Sequence, residues 1–105
     1  MAKAVRIHEH GGIDKLLFED VEVGRPGPGQ VRLRQTAIGV NYIDTYHRTG
    51  LYKLPALPAV IGVEGAGVVT DVGEGVTDLK EGDRVAYAGP MGGYASERLA
   101  PADRM

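Results

Sequence analysis

The 105-residue sequence has no cysteine, which excludes disulfides, a thiol nucleophile and any cysteine-held metal. The lack of disulfides agrees with a reducing compartment. No sign of charge dominates. Twelve Lys and Arg face fourteen Asp and Glu for a formal net charge of −2, and with no basic patch, nucleic acid is excluded as a partner. No apolar run has the length needed to cross a bilayer. The start, Met1-Ala2-Lys3-Ala4-Val5-Arg6, lacks the hydrophobic stretch of a secretory signal. The expectation is a soluble cytoplasmic domain with no membrane partner. The length suits one domain with a real core. What is abundant is glycine, sixteen residues, with six prolines, and so many turn formers favour a β body over a helical bundle.

Alternation between residues 2 and 8 puts Ala2, Ala4 and Arg6 on one face and Lys3, Val5 and Ile7 on the other, a half-buried strand. Residues 16–23 read as a second strand, with Phe18 and Leu16 contributing to the core. Arg25-Pro26-Gly27-Pro28-Gly29 is a turn or loop. Residues 30–40 alternate Val31 and Leu33 against Arg32 and Arg34, then become apolar at Ala37-Ile38, as a strand entering the interior would. Lys53 to Pro58 is a proline-punctuated loop. Residues 60–72 are β-branched but broken by Gly62, Gly65 and Gly67, which predicts bulges or close backbone approach. Lys80-Glu81-Gly82-Asp83 is a turn, residues 84–87 are a strand, and residues 94–99 are a last strand ended by Pro101. Short strands separated by frequent turn signals indicate a compact barrel or sandwich.

The chemistry concentrates between Ala37 and Tyr52. An apolar run stops at Asn41, a natural N-cap. Asp44 follows three residues on, where a carboxylate suits the positive end of a helix. Gly50 is placed to close the helix in the left-handed conformation. Tyr42 and Tyr46 are four apart and share a face, and Arg48 and Tyr52 lie close by. Two readings fit these residues: a surface helix whose tyrosine rings pack inward with wet hydroxyls, or the lip of a polar aromatic pocket.

Other motifs carry less. The pairs Gly27/Gly29, Gly65/Gly67 and Gly73/Gly75 leave Arg32, Thr70 and Asp78 at the third position, so no dinucleotide phosphate loop is completed. His8 and His10 share a strand face but have no third ligand. His47 reads as an exposed helical histidine, and no Ser-His-Asp arrangement can be argued. Glu64 stands in a run that otherwise reads as buried. It either has a partner or reaches solvent from a strand end.

The stretch Gly62-Val63-Glu64-Gly65-Ala66-Gly67, continuing to Gly73 and Val76 and followed by Lys80-Glu81-Gly82-Asp83-Arg84-Val85, resembles the medium-chain dehydrogenase/reductase signature. Val63 replaces the histidine of the zinc enzymes, and Asn41 stands where they carry a zinc-binding cysteine, while Asp44 is kept. The loop that holds a structural zinc is absent. Both losses resemble the zinc-independent branch. Residues 37–46 with Arg48, Gly50, Leu51 and Tyr52 are similar to the NADPH:quinone oxidoreductases, the zeta-crystallin group.

That resemblance implies a mainly β fold, a GroES-like, partly open β-barrel with one or two short helices. Residues 1–105 would be the N-terminal catalytic domain, with the Rossmann domain missing. It implies metal-independent reduction of quinones or related conjugated carbonyls by NADPH, held mainly by the missing domain, in a homodimeric cytoplasmic parent. Asn41, Tyr42, Ile43, Asp44, Thr45, Tyr46 and Arg48 would lie toward the cofactor, and Asn41, Tyr46 and Tyr52 would be the catalytic candidates. The 105-residue chain alone would be inactive. A free-standing GroES-like binding or interaction module without catalysis is the alternative.

Overall fold

The computed structural model describes residues 2–105. Its strands are β1 (Ala2–Ile7), β2 (Leu17–Val21), β3 (Gln30–Ile38), β4 (Ala59–Val60), β5 (Glu64–Val72), β6 (Arg84–Ala88) and β7 (Glu97–Pro101), with a helix α1 (Ile43–Thr49) between β3 and β4. Short 3-10 turns occupy Ile13–Lys15 and Ala102–Arg104. The strands form a three-stranded sheet in the order β2-β1-β4 and a four-stranded sheet in the order β6-β5-β3-β7. All neighbours are antiparallel.

One seam joins the sheets. The segment 94–96, expected to start the last strand, bridges them instead. Val5 N–H donates to the Tyr94 carbonyl and Ser96 N–H to that of Lys3, both at 2.8 Å, while Gln35 N–H donates to the Ser96 carbonyl at 2.8 Å. The opposite side does not close, so the architecture is mainly β and partly open, with a single α-helix among the described residues. None of the described helices is long and apolar enough to cross a membrane.

The core sits within the larger sheet. Alternation along β3 turns Val31 and Leu33 inward, where they meet Val69, Tyr87 and Ala100, with Val72, Val76, Leu79 and Val85 packed around them. Each fully buried aliphatic side chain contributes about 1.5–3 kcal/mol relative to exposure. The glycine-broken run behaves as its composition predicts. The β3–β5 register shifts between Arg32 and Leu33 and again between Gln35 and Ala37. A Cβ at Gly67 would collide with the Arg34 carbonyl.

Several expectations need correction. In β1 the buried residues are Ala2, Ala4 and Ile7, so strict alternation breaks where its neighbour changes from the 94–96 segment to β4. Phe18 is not core: it is 72% exposed, because β2 is the edge strand of its sheet and turns this ring toward an open cleft. The apolar end of β3 does not enter the interior. Ala37 and Ile38 are exposed and Val40 is 80% exposed, and Ile38 and Val40 line the same cleft as Phe18.

Candidate active site

α1 begins later than the sequence suggested, and Asn41 is not its cap. The N-cap is Tyr42, which has helical φ and ψ and makes no side-chain cap bond. The capping works in reverse: Asp44 Oδ2 accepts from the Asn41 backbone N–H at 3.0 Å, as the carboxylate half of a capping box does. Asp44 is buried, 3% exposed. A buried carboxylate needs more than one donor. The second is the hydroxyl of Tyr94, which also donates to Oδ2. Burial first, and then the Asp44 carboxylate, push the Tyr94 phenol well above its ordinary pKa. Sequence reading missed Tyr94; the available signal was a carboxylate on a helix that had to find a partner.

At its other end α1 closes as expected. Gly50 has φ 89°, and its N–H donates to the Tyr46 carbonyl, a left-handed stop that a β-carbon disfavours. The turn at His10 and Gly11 docks there: Gly11 N–H donates to the Arg48 carbonyl at 3.0 Å, Arg48 Nε donates to the Gly11 carbonyl at 3.3 Å, and His10 Nδ1 lies 3.1 Å from the His47 carbonyl. Arg48 therefore staples the helix to this turn.

The tyrosines do come together. Tyr42 and Tyr46 meet edge to face at 5.5 Å, and Tyr46 and Tyr52 at 5.4 Å, so Tyr46 is the centre of a three-ring cluster. Tyr42 and Tyr52 are exposed, at 76% and 53%. Ile43 is also exposed, whereas the Thr45 hydroxyl donates to the Tyr42 carbonyl at 2.7 Å. His47 is half-buried rather than exposed. Among the described residues, the buried side-chain polar atoms without a hydrogen-bond partner are Asn41 Nδ2, Asp44 Oδ1 and His47 Nδ1. They all fall in this one stretch.

Glu64 is half-buried at the start of β5. Its carbonyl accepts from Gly39 N–H at 3.2 Å, and a Cβ at Gly39 would collide with its side chain. It borders a mixed cleft of about 380 Å³ shared with Ala66 and Tyr87. His8 and His10 do not converge: His8 Nε2 lies 2.7 Å from Glu19 Oε1, while His10 turns to α1. No group of three or more His, Asp or Glu among the described residues is placed to hold a metal ion. Along the seam between the sheets opens a cleft of about 800 Å³ lined by Val5, Phe18, Ile38, Val40 and Tyr94.

Residues 27–105 match the alcohol dehydrogenase GroES-like domain. The chain belongs to that family. This GroES-like domain is 51% identical to a 2-haloacrylate reductase of Burkholderia sp over 109 aligned residues, covering all of the chain and 33% of that protein. Among solved structures it is similar to the quinone oxidoreductase of Pseudomonas syringae pv. Tomato DC3000, with a TM-score of 0.95 and 48% identity over 99% of the chain and 32% of the other. It is also similar to the Escherichia coli quinone oxidoreductase complexed with NADPH, with a TM-score of 0.93 and 41% identity over 97% of the chain and 32% of the other. The GroES-like domain thus spans about a third of the length of the relatives it matches.

In the GroES-like domain the donor set suits one end of a dinucleotide only. Exposed aromatic faces offer flat stacking surface. Among the described residues no glycine-rich loop opens an α-helix that could hold the phosphates: α1 opens at Tyr42 and Ile43.

Proposed function

We propose that the chain is the N-terminal catalytic domain of an NADPH-dependent reductase of quinones or related conjugated carbonyls, acting with a dinucleotide-binding domain elsewhere in the same polypeptide. One observation carries this reading: the tyrosine cluster of α1, beside the unpaired Asn41 amide, in a domain that superposes closely on quinone oxidoreductases. A quinone and a 2-haloacrylate share a carbon–carbon double bond conjugated to a carbonyl. The names of the relatives therefore point to one acceptor chemistry.

NADPH supplies the hydride when bound. The protein's part is to orient the acceptor and to stabilise the charge that gathers on the carbonyl oxygen as the double bond is reduced. Tyr52, an exposed phenol, is the donor offered to a substrate oxygen. Asn41, whose Nδ2 is buried without a protein partner, is the second candidate donor, reached when the segment adjusts around the acceptor. Tyr42 and Tyr46 offer ring surface against which a flat acceptor stacks. Ile43, Thr45 and Tyr46 border the cofactor side, and Asp44, too buried to touch a ligand, holds the segment in place. No residue is assigned to a metal, since positions 41 and 63 are Asn and Val.

The test is to express the complete coding region from which the chain derives and follow NADPH consumption with a benzoquinone and with a 2-haloacrylate. Acceptor-dependent oxidation of NADPH is the expected result. No consumption with either acceptor, in a folded protein that binds NADPH, refutes the proposal. The alternative, a binding module without catalysis, has no observation favouring it over the enzyme reading, since the open cleft would serve either.

A further inference from the structure

α1 has only seven residues, too few to persist without tertiary support. Its C-terminal end is tied by the His10–Gly11 turn through three hydrogen bonds. Its N-terminal end carries Asn41 and Tyr42, whose ring meets that of Tyr46 in the middle of the helix, and its long-range side-chain tie is the hydrogen bond from Tyr94 to Asp44. Tyr94 is itself fixed from several sides. Its N–H donates to the Ile61 carbonyl at 2.9 Å, and its carbonyl accepts from Val5 N–H at 2.8 Å. Its ring lies against Gly62, where a Cβ would stand 2.5 Å from Cδ1. The residue is a strut running from the seam between the sheets to the start of α1.

We infer that Tyr94 is a positioning residue for this site: by donating to Asp44 Oδ2 it fixes the carboxylate that holds the Asn41 backbone, and so sets the Asn41 amide and the tyrosine cluster in one arrangement. The inference rests on the reading of α1 as the catalytic face. The carboxylate has no slack to absorb loss of this bond. Oδ1 is buried without a partner, so removing the Tyr94 hydroxyl leaves a buried charge with the Asn41 N–H alone. The raised pKa of Tyr94 keeps the phenol protonated, hence a donor, through neutral and mildly alkaline pH.

The experiment uses Tyr94→Phe, which keeps the ring and deletes the donor. Amide hydrogen exchange is measured first on the 105-residue chain. Asn41 is expected to exchange about tenfold faster, in line with loss of a charge-assisted hydrogen bond, while Val69, whose N–H donates to the Asp83 carbonyl in the core sheet, is unchanged. Unchanged exchange at Asn41, or equal acceleration at Asn41 and Val69 as general destabilisation would give, overturns the inference. If the variant does not fold, Tyr94→Phe is combined with Asp44→Asn, which removes the buried charge. Fast Asn41 exchange is again expected, and exchange as slow as in the native chain overturns the inference. In the complete protein Tyr94→Phe should lower kcat about tenfold with KM for NADPH within about twofold, and an unchanged kcat overturns it as well. Should the native complete protein reduce neither acceptor, the proposed function fails, and the exchange measurement decides the role of Tyr94 by itself.

Discussion

Gly62 offers a quantitative test of how the seam supports the site. Its φ is 101°, and a β-carbon there would lie 2.5 and 2.9 Å from Tyr94 Cδ1 and Cε1 and 3.0 Å from the Tyr94 nitrogen. Gly62→Ala therefore carries two costs. Placing an L-residue at positive φ costs about 1–2 kcal/mol. Forcing a methyl into occupied space costs about 1–3 kcal/mol more, because Tyr94 is bonded at both backbone groups and cannot simply retreat. Gly75→Ala separates the two terms: its φ is 83°, and no atom lies within 4 Å of the added carbon, so it reports the conformational cost alone. In urea unfolding of the 105-residue chain, Gly75→Ala should lose about 1–2 kcal/mol and Gly62→Ala about 2–5 kcal/mol, with m unchanged in both. For a domain of this size that is a large share of roughly 5–15 kcal/mol of total stability. Gly62→Ala matching Gly75→Ala would refute the argument that Tyr94 is pinned.

Leu33 is fully buried at the centre of the core, and Leu33→Ala should cost about 2–5 kcal/mol, read as a lower urea midpoint. Tyr94 gives a pH dependence of definite sign. Its folded pKa is raised, so its contribution is complete below the unfolded tyrosine value near pH 10 and declines as pH rises toward the folded one. Alkaline unfolding should start earlier in the native chain, relative to its stability at neutral pH, than in Tyr94→Phe, and parallel curves would contradict this. Tyr52→Phe in the complete protein should lower kcat by about 10²-fold, within reach of losing one oxyanion donor, with NADPH affinity nearly unchanged. Equal turnover would remove Tyr52 from that role.

Features fixed by neighbouring residues were legible in the sequence. Gly50 stops α1, and Lys80 to Asp83 form their turn, with Asp83 N–H donating to the Lys80 carbonyl at 3.1 Å and Lys80 N–H to Asp83 Oδ2 at 3.0 Å. The alternation of Val31 and Leu33 named two core residues correctly, because period 2 on a half-buried strand leaves them one place to point. Phe18, Ile38 and Val40 were misread for the opposite reason. Hydrophobicity marks what avoids water but not which surface covers it, and in this chain the three residues line an open cleft.

The candidate site divides along the same line. The tyrosine cluster was readable because positions 42 and 46 are bound to share a helical face. Its foundation was not, since Asp44 and Tyr94 are 50 residues apart and no periodicity links a helix to a seam between sheets. The Asn41 cap failed instructively. An asparagine before a helix caps by accepting a first-turn N–H at its side-chain oxygen, but here the Asp44 N–H donates to the Asn41 backbone carbonyl and the Thr45 N–H to the Tyr42 carbonyl, both at 3.0 Å. The amide nitrogen is left buried and unpaired, a state that costs about 1–3 kcal/mol.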